Sequence, residues 1–425
     1  MPIPGDRIVI DVGPVAHGGH CVGRLDGQVV FVRHSLPGER VEAIVTGVGG
    51  GGRFLRADAV TVLSASADRV APACEFAGPG GCGGCDWQHA SLDAQRRMKA
   101  SVVAESMRRI GRIDQIGGVD VEDAVTVEPV PGDRDGLAWR TRAQFTVDEH
   151  GRLGLRRHQS HDVLPVDRCA IAVDAINDTG VTARSWEGCD SIDVVASSAG
   201  DVVVVPRTSG GRLAPEFLLS GISEDVRVAG VRGSRRVTEV AGDRHWLLDA
   251  VDFWQVHPGL ADLLIDAVRA ALAPRRGEML VDLFCGVGLF AGALARDVGT
   301  GTVVHAVEGD RRSCGDARLN LADVPQVVIH QSSVAKWLER PPINSADLVV
   351  LDPPRTGAGT AVMVSITRLK PRAIAYVACD PVALARDLGA ARASGYQLES
   401  LRVFDAFPMT QHMECLAVLR PAPDG

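Results

Sequence analysis

From about Leu247 onward the sequence alternates short apolar runs with stretches of helical periodicity. The apolar runs fall at Met279–Phe284, Thr302–Val307, Val327–His330, Asp347–Leu351 and Ala373–Ala378. Strands separated by helices must run parallel, and a parallel sheet is covered on both faces. The alternation therefore predicts an α/β, doubly wound sheet over residues 247–425. Two more strands are expected near Gln397–Phe404 and Glu414–Leu419. Ligands of such sheets bind beyond the carboxyl ends of the strands. Four segments are expected at that edge: Asp282–Gly288, Asp352-Pro-Pro-Arg355, Tyr376–Pro381 and His412-Met-Glu414.

The remainder reads differently. Residues 1–64 carry short strands at Arg7–Val12, Cys21–Leu25, Gln28–Val32, Arg40–Thr46 and Arg53–Val62, with glycine-rich turns. Such spacing predicts a small closed barrel, with Asp26-Gly27 as a hairpin turn. Residues 65–246 form a central β-rich part. It opens with a Gly- and Cys-rich loop from Cys74 to Cys85. A helix follows, N-capped by Ser91 and stopped by Gly111, with Arg96, Arg97, Arg108, Arg109 and Arg112 on one face.

A chain of 425 residues has room for two or three domains. The formal charge of -8 excludes a globally basic nucleic-acid binder but leaves room for a local basic stripe. Lys99, Lys336 and Lys370 are the lysines among 45 basic residues. The arginine excess suits phosphate contacts, and equally a GC-rich genome. No apolar stretch is long enough to span a bilayer, and no signal peptide is evident, so a cytoplasmic monomer is expected. Clustered cysteines there point to metal or catalysis rather than disulfides.

Asp282–Gly288 lies across the end of the first strand of the sheet. Glu308 follows the second strand, about twenty residues on, where a carboxylate can accept ribose hydroxyls. The turn Gly286-Val-Gly288 lacks a third glycine, and no pyrophosphate cradle is evident. A nucleoside without phosphates is favoured over a dinucleotide, and S-adenosylmethionine is such a ligand. Cys379 ends the fifth strand, and Glu414 begins the last. If that last strand is antiparallel and adjacent to the fifth, thiol and carboxylate share one edge. A thiolate added to carbon 6 of uracil makes carbon 5 nucleophilic, and a base then removes its proton. Taken singly, Cys379 would more often be a small buried hydrophobe, and Glu414 a solvated strand end.

These residues together resemble the RNA 5-methyluridine (uracil-C5) methyltransferase family, from Asp252-Phe-Trp-Gln-Val-His257 to the end and into the cysteine region and barrel. The resemblance implies a class I methyltransferase sheet and an N-terminal OB-like TRAM barrel. It implies S-adenosylmethionine contacts from Gln255, Phe284, Glu308 and Asp352. It makes Cys379 the nucleophile and Glu414 the base, with Phe253 near a flipped uracil. Cys74, Cys82, Cys85 and Cys169 resemble the ligands of the [4Fe–4S] cluster in one bacterial 23S rRNA branch. Zinc is the rival on chemistry alone. The chain departs from the family at Asp380, where Asn is usual, and at Leu289, often Asn. A carboxylate beside Cys379 opposes its ionisation unless a cation such as Arg355 or Arg386 offsets it.

The expected partner is structured RNA, 23S rRNA before tRNA, with the target uracil drawn from its stack. The barrel holds seven arginines and seven acids through residue 70, so the helix at 91–112 is the better basic surface. The alternatives are a tRNA uridine-54 enzyme, an amino-group methyltransferase on the same sheet, and a non-catalytic RNA-binding assembly factor.

Overall fold

A computed structural model describes residues 2–210 and 214–423. Strands Arg7–Val15, Cys21–Leu25, Gln28–Arg33, Arg40–Gly49 and Phe54–Ser64 close into a barrel. Their alternate residues, among them Ile8, Ile10, Val30, Val32, Val41 and Leu55, fill its interior. Asp26 and Gly27 both take positive φ, 50° and 82°, as a tight hairpin turn demands. A six-stranded sheet lies in the middle of the chain, centred on Arg142–Val147 and Ser191–Ala196.

The C-terminal sheet has eight strands. Val327–Gln331, Val304–Glu308, Leu280–Leu283, Leu348–Leu351 and Ala373–Ala378 run parallel in that spatial order. Leu280–Leu283 and Leu348–Leu351 are buried at every position, as strands covered on both faces must be. One face packs on helices Leu260–Leu272 and Leu289–Val298, the other on helices Thr360–Arg368 and Pro381–Ala393. Glu414–Pro421 comes next, antiparallel to Ala373–Ala378, followed by Tyr396–Asp405.

Val127–Pro129 adds the last strand, parallel to Tyr396–Asp405. The helix Leu92–Arg109, capped by the Ser91 side chain, packs Val103, Ala104 and Met107 into the same core. The helix at 91–112, a candidate on sequence for docking on the C-terminal sheet, and strand Val127–Pro129 thus lie on the α/β layer. The helix ends at Arg109 with Ile110 as its cap, so Gly111 stands where the stop was expected, although the positive φ, 54°, belongs to Arg112. Gly111 also serves close approach, because a Cβ there would meet Met107 O at 2.9 Å and Ala385 O at 3.1 Å.

Lys99 anchors this layer. Its fully buried ammonium donates to Asp405 Oδ1 at 2.5 Å and to Phe407 O at 3.1 Å. Arg96 Nε reaches the other Asp405 oxygen at 3.2 Å. Removing one partner of a buried ion pair strands the other charge. Lys99→Met is expected to lower unfolding stability by about 3 kcal/mol, the low end of the usual range because Arg96 still pairs with Asp405. Denaturant unfolding measures it, and a loss under about 1 kcal/mol would contradict this role for Lys99.

Candidate active site at the carboxyl edge of the sheet

Phe284, Glu308, Asp352 and Cys379 all sit at the carboxyl ends of parallel strands. Glu308 is the last residue of its strand rather than the one after it. The antiparallel register sets Ala378 opposite Cys415, which puts Glu414 beside Cys379 at this same edge. Sequence-distant thiol and carboxylate are therefore neighbours, and the Glu414 charge acts on the Cys379 thiol. Gln255 arrives from the 250–259 loop, with its Nε2 3.5 Å from Asp352 Oδ2.

The turn after the first strand is conformationally demanding. Phe284 has φ 60°, Gly286 54° and Gly288 95°. A Cβ at Gly288 would meet Leu321 Cδ1 at 2.7 Å, whereas one at Gly286 would meet nothing within 4 Å. Gly286 thus borders open space of the kind a ligand can enter. Its N–H donates to Glu308 Oε2 at 3.0 Å, and Asp310 N donates to Glu308 Oε1 at 2.7 Å. These bonds hold the Glu308 carboxylate still beside the turn.

The pocket gathers negative groups. Asp282 is fully buried, accepts from Ala291 N at 2.7 Å, and leaves Oδ1 without a hydrogen-bond partner. Burial raises its carboxyl to about 8, helped by Asp352 and Glu308. Burial raises Asp352 to about 7. Burial, then the Asp352 charge, pushes Glu414 well above the usual range against Arg355, and Glu414 Oε1 also lacks a partner. Burial pushes the Cys379 thiol up to about 12, with Glu414 and Asp352 adding and Arg355 opposing. Such a site suits a cationic ligand, whose charge would relieve the crowded carboxylates. Phe253, on the same 250–259 loop as Gln255, is 70% exposed and leaves its ring face free.

A family model for the TRAM domain matches residues 4–60. The model for tRNA (Uracil-5-)-methyltransferase matches residues 343–421, which include Asp352, Cys379 and Glu414. A protein of Streptomyces coelicolor described as an uncharacterized RNA methyltransferase is 48% identical, covering 100% of this chain and 95% of its own. One of the same description from Bifidobacterium longum is 33% identical over 95% of this chain and 94% of its own. The chain belongs to the RNA uracil-5-methyltransferase family. The methyltransferase also shares its fold with the Pyrococcus abyssi tRNA (uracil-54, C5)-methyltransferase solved with S-adenosyl-L-homocysteine. That match has a TM-score of 0.70 at 21% identity and covers 96% of this chain and 99% of that one.

Elsewhere in the methyltransferase, Cys74, Cys82, Cys85 and Cys169 line one cavity of about 370 Å³. Gln88 Oε1 accepts from Cys74 N at 2.9 Å, and Asn177 clamps the Cys169 backbone from both sides at 2.9 and 3.1 Å. Gly84 N donates to Cys82 Sγ at 3.3 Å. Burial and neighbouring thiols raise Cys74, Cys82 and Cys85, the last to about 12. Among the described residues no group of three or more Cys, His, Asp or Glu side chains is placed to hold a metal ion.

The basic helix face read from the sequence is largely spent inside the protein. Arg97 pairs with Asp68, Arg109 with Glu105, and Arg108 with Asp120 and Glu122. Arg96 pairs with Asp405 and Asp93. Among the described residues no helix is long and apolar enough to cross a membrane. Sequence reading missed Asp282 as a site residue in its own right, and it missed the Lys99–Asp405 pair. Asp282 opens the singled-out turn, which was a usable signal. Nothing local marks Lys99 or Asp405.

A thiol raised to about 12 holds little thiolate at neutral pH. Iodoacetamide labelling of Cys379, followed by mass spectrometry, is expected to rise about tenfold per pH unit from pH 7 to 10. A plateau near pH 8 would contradict this environment.

Proposed function

We propose that this methyltransferase methylates carbon 5 of a uridine in structured RNA, with S-adenosylmethionine as methyl donor. The observation that carries the reading is the register that sets Glu414 beside Cys379 at the edge where Asp282, Glu308 and Asp352 gather. Gln255, Phe284, Glu308 and Asp352 would hold the donor, Glu308 through its two fixed oxygens. The donor supplies an electrophilic methyl group on a positively charged sulfur, a charge that suits the carboxylates around it.

Cys379 attacks carbon 6 of the uracil as thiolate, and the carbon 5–carbon 6 π electrons move into the ring as an enolate. Carbon 5 then takes the methyl group, and the carbon–sulfur bond of the donor keeps its electron pair on sulfur. Glu414 accepts the carbon 5 proton, the double bond re-forms, and the Cys379 thiolate leaves. A carboxyl held above its usual range is a stronger base once ionised, which suits this role. Phe253 offers its exposed ring to the extruded base. Arg355 is the cation that favours the thiolate.

The target proposed is 23S rRNA, because the barrel and cysteine set together resemble that branch. Cys74, Cys82, Cys85 and Cys169 would hold a [4Fe–4S] cluster, as the resemblance implies, and all four line one cavity. Zinc is the alternative that four thiolates also suit. Protein purified without oxygen is expected to contain iron and acid-labile sulfide, which disappear in Cys82→Ser. Stoichiometric zinc with no sulfide would overturn this part.

The reaction is tested with RNA carrying 5-fluorouridine, which has no removable proton at carbon 5. Wild type is expected to become covalently trapped, and Cys379→Ser to lose both trapping and methyl transfer. Glu414→Gln is expected to slow turnover by about 10²- to 10⁴-fold and to accumulate the adduct with ordinary uridine. Methyl transfer that survives Cys379→Ser would favour an amino-group reaction. RNA binding without transfer in wild type would favour an assembly factor. Mapping 5-methyluridine in rRNA and tRNA with and without the gene decides the target, with tRNA uridine-54 the alternative.

A further inference from the structure

The first loop of the barrel reaches the residue that follows Cys379. His17 Nε2 lies 3.1 Å from Asp380 Oδ2, across 363 positions of sequence. The other Asp380 oxygen caps helix Pro381–Ala393, accepting from Ala383 N at 2.8 Å. The loop is firmly seated. Trp87 donates its indole N–H to Gly19 O at 3.0 Å, and a Cβ at Gly19 would meet Gln411 Cβ at 2.9 Å. Gln411 N in turn donates to Asp86 at 3.1 Å. The barrel is thus tied both to the start of that helix and to the segment that leads into Glu414.

A negative charge beside a thiol opposes its ionisation. Cys379 already faces Glu414 and Asp352, with Arg355 opposing them. Asp380 adds a further carboxylate next to it in the chain. We propose that His17 is a positioning residue for methyl transfer: its imidazole, carried in by the barrel, offsets Asp380 when protonated, so that the Cys379 thiolate can form. This rests on Cys379 being the nucleophile, as set out above.

The groups facing His17 are Asp380 from the helix start and His412 from the 410–412 segment, with Arg355 acting on His412. The hydrogen bond to Asp380 holds His17 above the ordinary histidine value. Burial pushes Asp380 up, but His17 and the Ala383 N–H hold it below the usual carboxylate range. The charged pair is therefore complete below the ordinary histidine value and fades as pH rises through the raised one.

The test is a double-mutant cycle in the full-length protein: wild type, His17→Gln, Asp380→Asn and the double variant. Asn keeps the helix cap and removes the charge, and Gln keeps a donor without charge. The readout is the rate of covalent trapping on saturating 5-fluorouridine RNA from pH 6 to 9. His17→Gln is expected to slow trapping about 3- to 5-fold at pH 7, the scale of a part-exposed ion pair, and to move the pH–rate curve upward in pH. Added to Asp380→Asn, it is expected to change nothing further. Equal slowing in both backgrounds, or none in the wild-type background, overturns the role of His17. Cys379→Ser runs in parallel: if it still traps and methylates, the nucleophile assignment has failed, and the inference falls with it for that separate reason.

Discussion

The antiparallel seating of Glu414–Pro421 between Ala373–Ala378 and Tyr396–Asp405 is the interaction on which the site depends. Side chains alternate across a strand, so a slip of one residue would turn Glu414 away and present Cys415 instead. The register is held by burial on both sides: Cys415 through Leu419 are all buried, with Cys415, Ala417 and Leu419 in one core and Leu416 in the other. It is also held at its entry, where Asp405 and the Phe407 carbonyl are gripped by Lys99. The helix carrying Lys99 is thus part of the machinery that aims the Glu414 carboxylate, although it lies outside the alternating region of the chain.

The second constraint is electrostatic. Asp282 and Glu414 are buried beside the half-buried Asp352 with few cations near them, and Asp282 and Glu414 each leave an oxygen unbonded. Burial of unpaired carboxylates is costly and survives only where surrounding structure over-determines it. The parallel strands do so here, by fixing every residue at their ends through ladder bonds far from the pocket. Burial first, and then the same field that would welcome a cation, push the Cys379 thiol up. Arg355 opposes the carboxylates at that thiol, and His17 reaches the neighbouring Asp380 from a different part of the chain.

Much of this was legible in sequence. The strand–helix alternation and the glycine spacing of the barrel are local patterns, and local patterns encode periodicity directly. The placement of Cys379 and Glu414 at one sheet edge was readable because each sits at a strand end within a distinctive segment. The basic face of helix Leu92–Arg109 was readable only as a charge pattern. Its partners Asp68, Asp120, Glu122 and Asp405 are brought to it by folding, and they neutralise what the one-dimensional pattern left open. Gly111 stands just past the helix end, as its stop should, and only folding shows that its small size also serves a close crossing over Ala385.

By itself the sequence determined the kind of sheet, the barrel, the inventory of thiols and carboxylates, and the family resemblance. Each of these follows from residue type and spacing along the chain. Only the tertiary structure decided which groups meet: the register that sets Glu414 beside Cys379, the closure of four cysteines on one cavity, and the reach of His17 to Asp380. Such meetings depend on the order and direction of strands and on how separately folded surfaces pack, and no local pattern of residues carries that information.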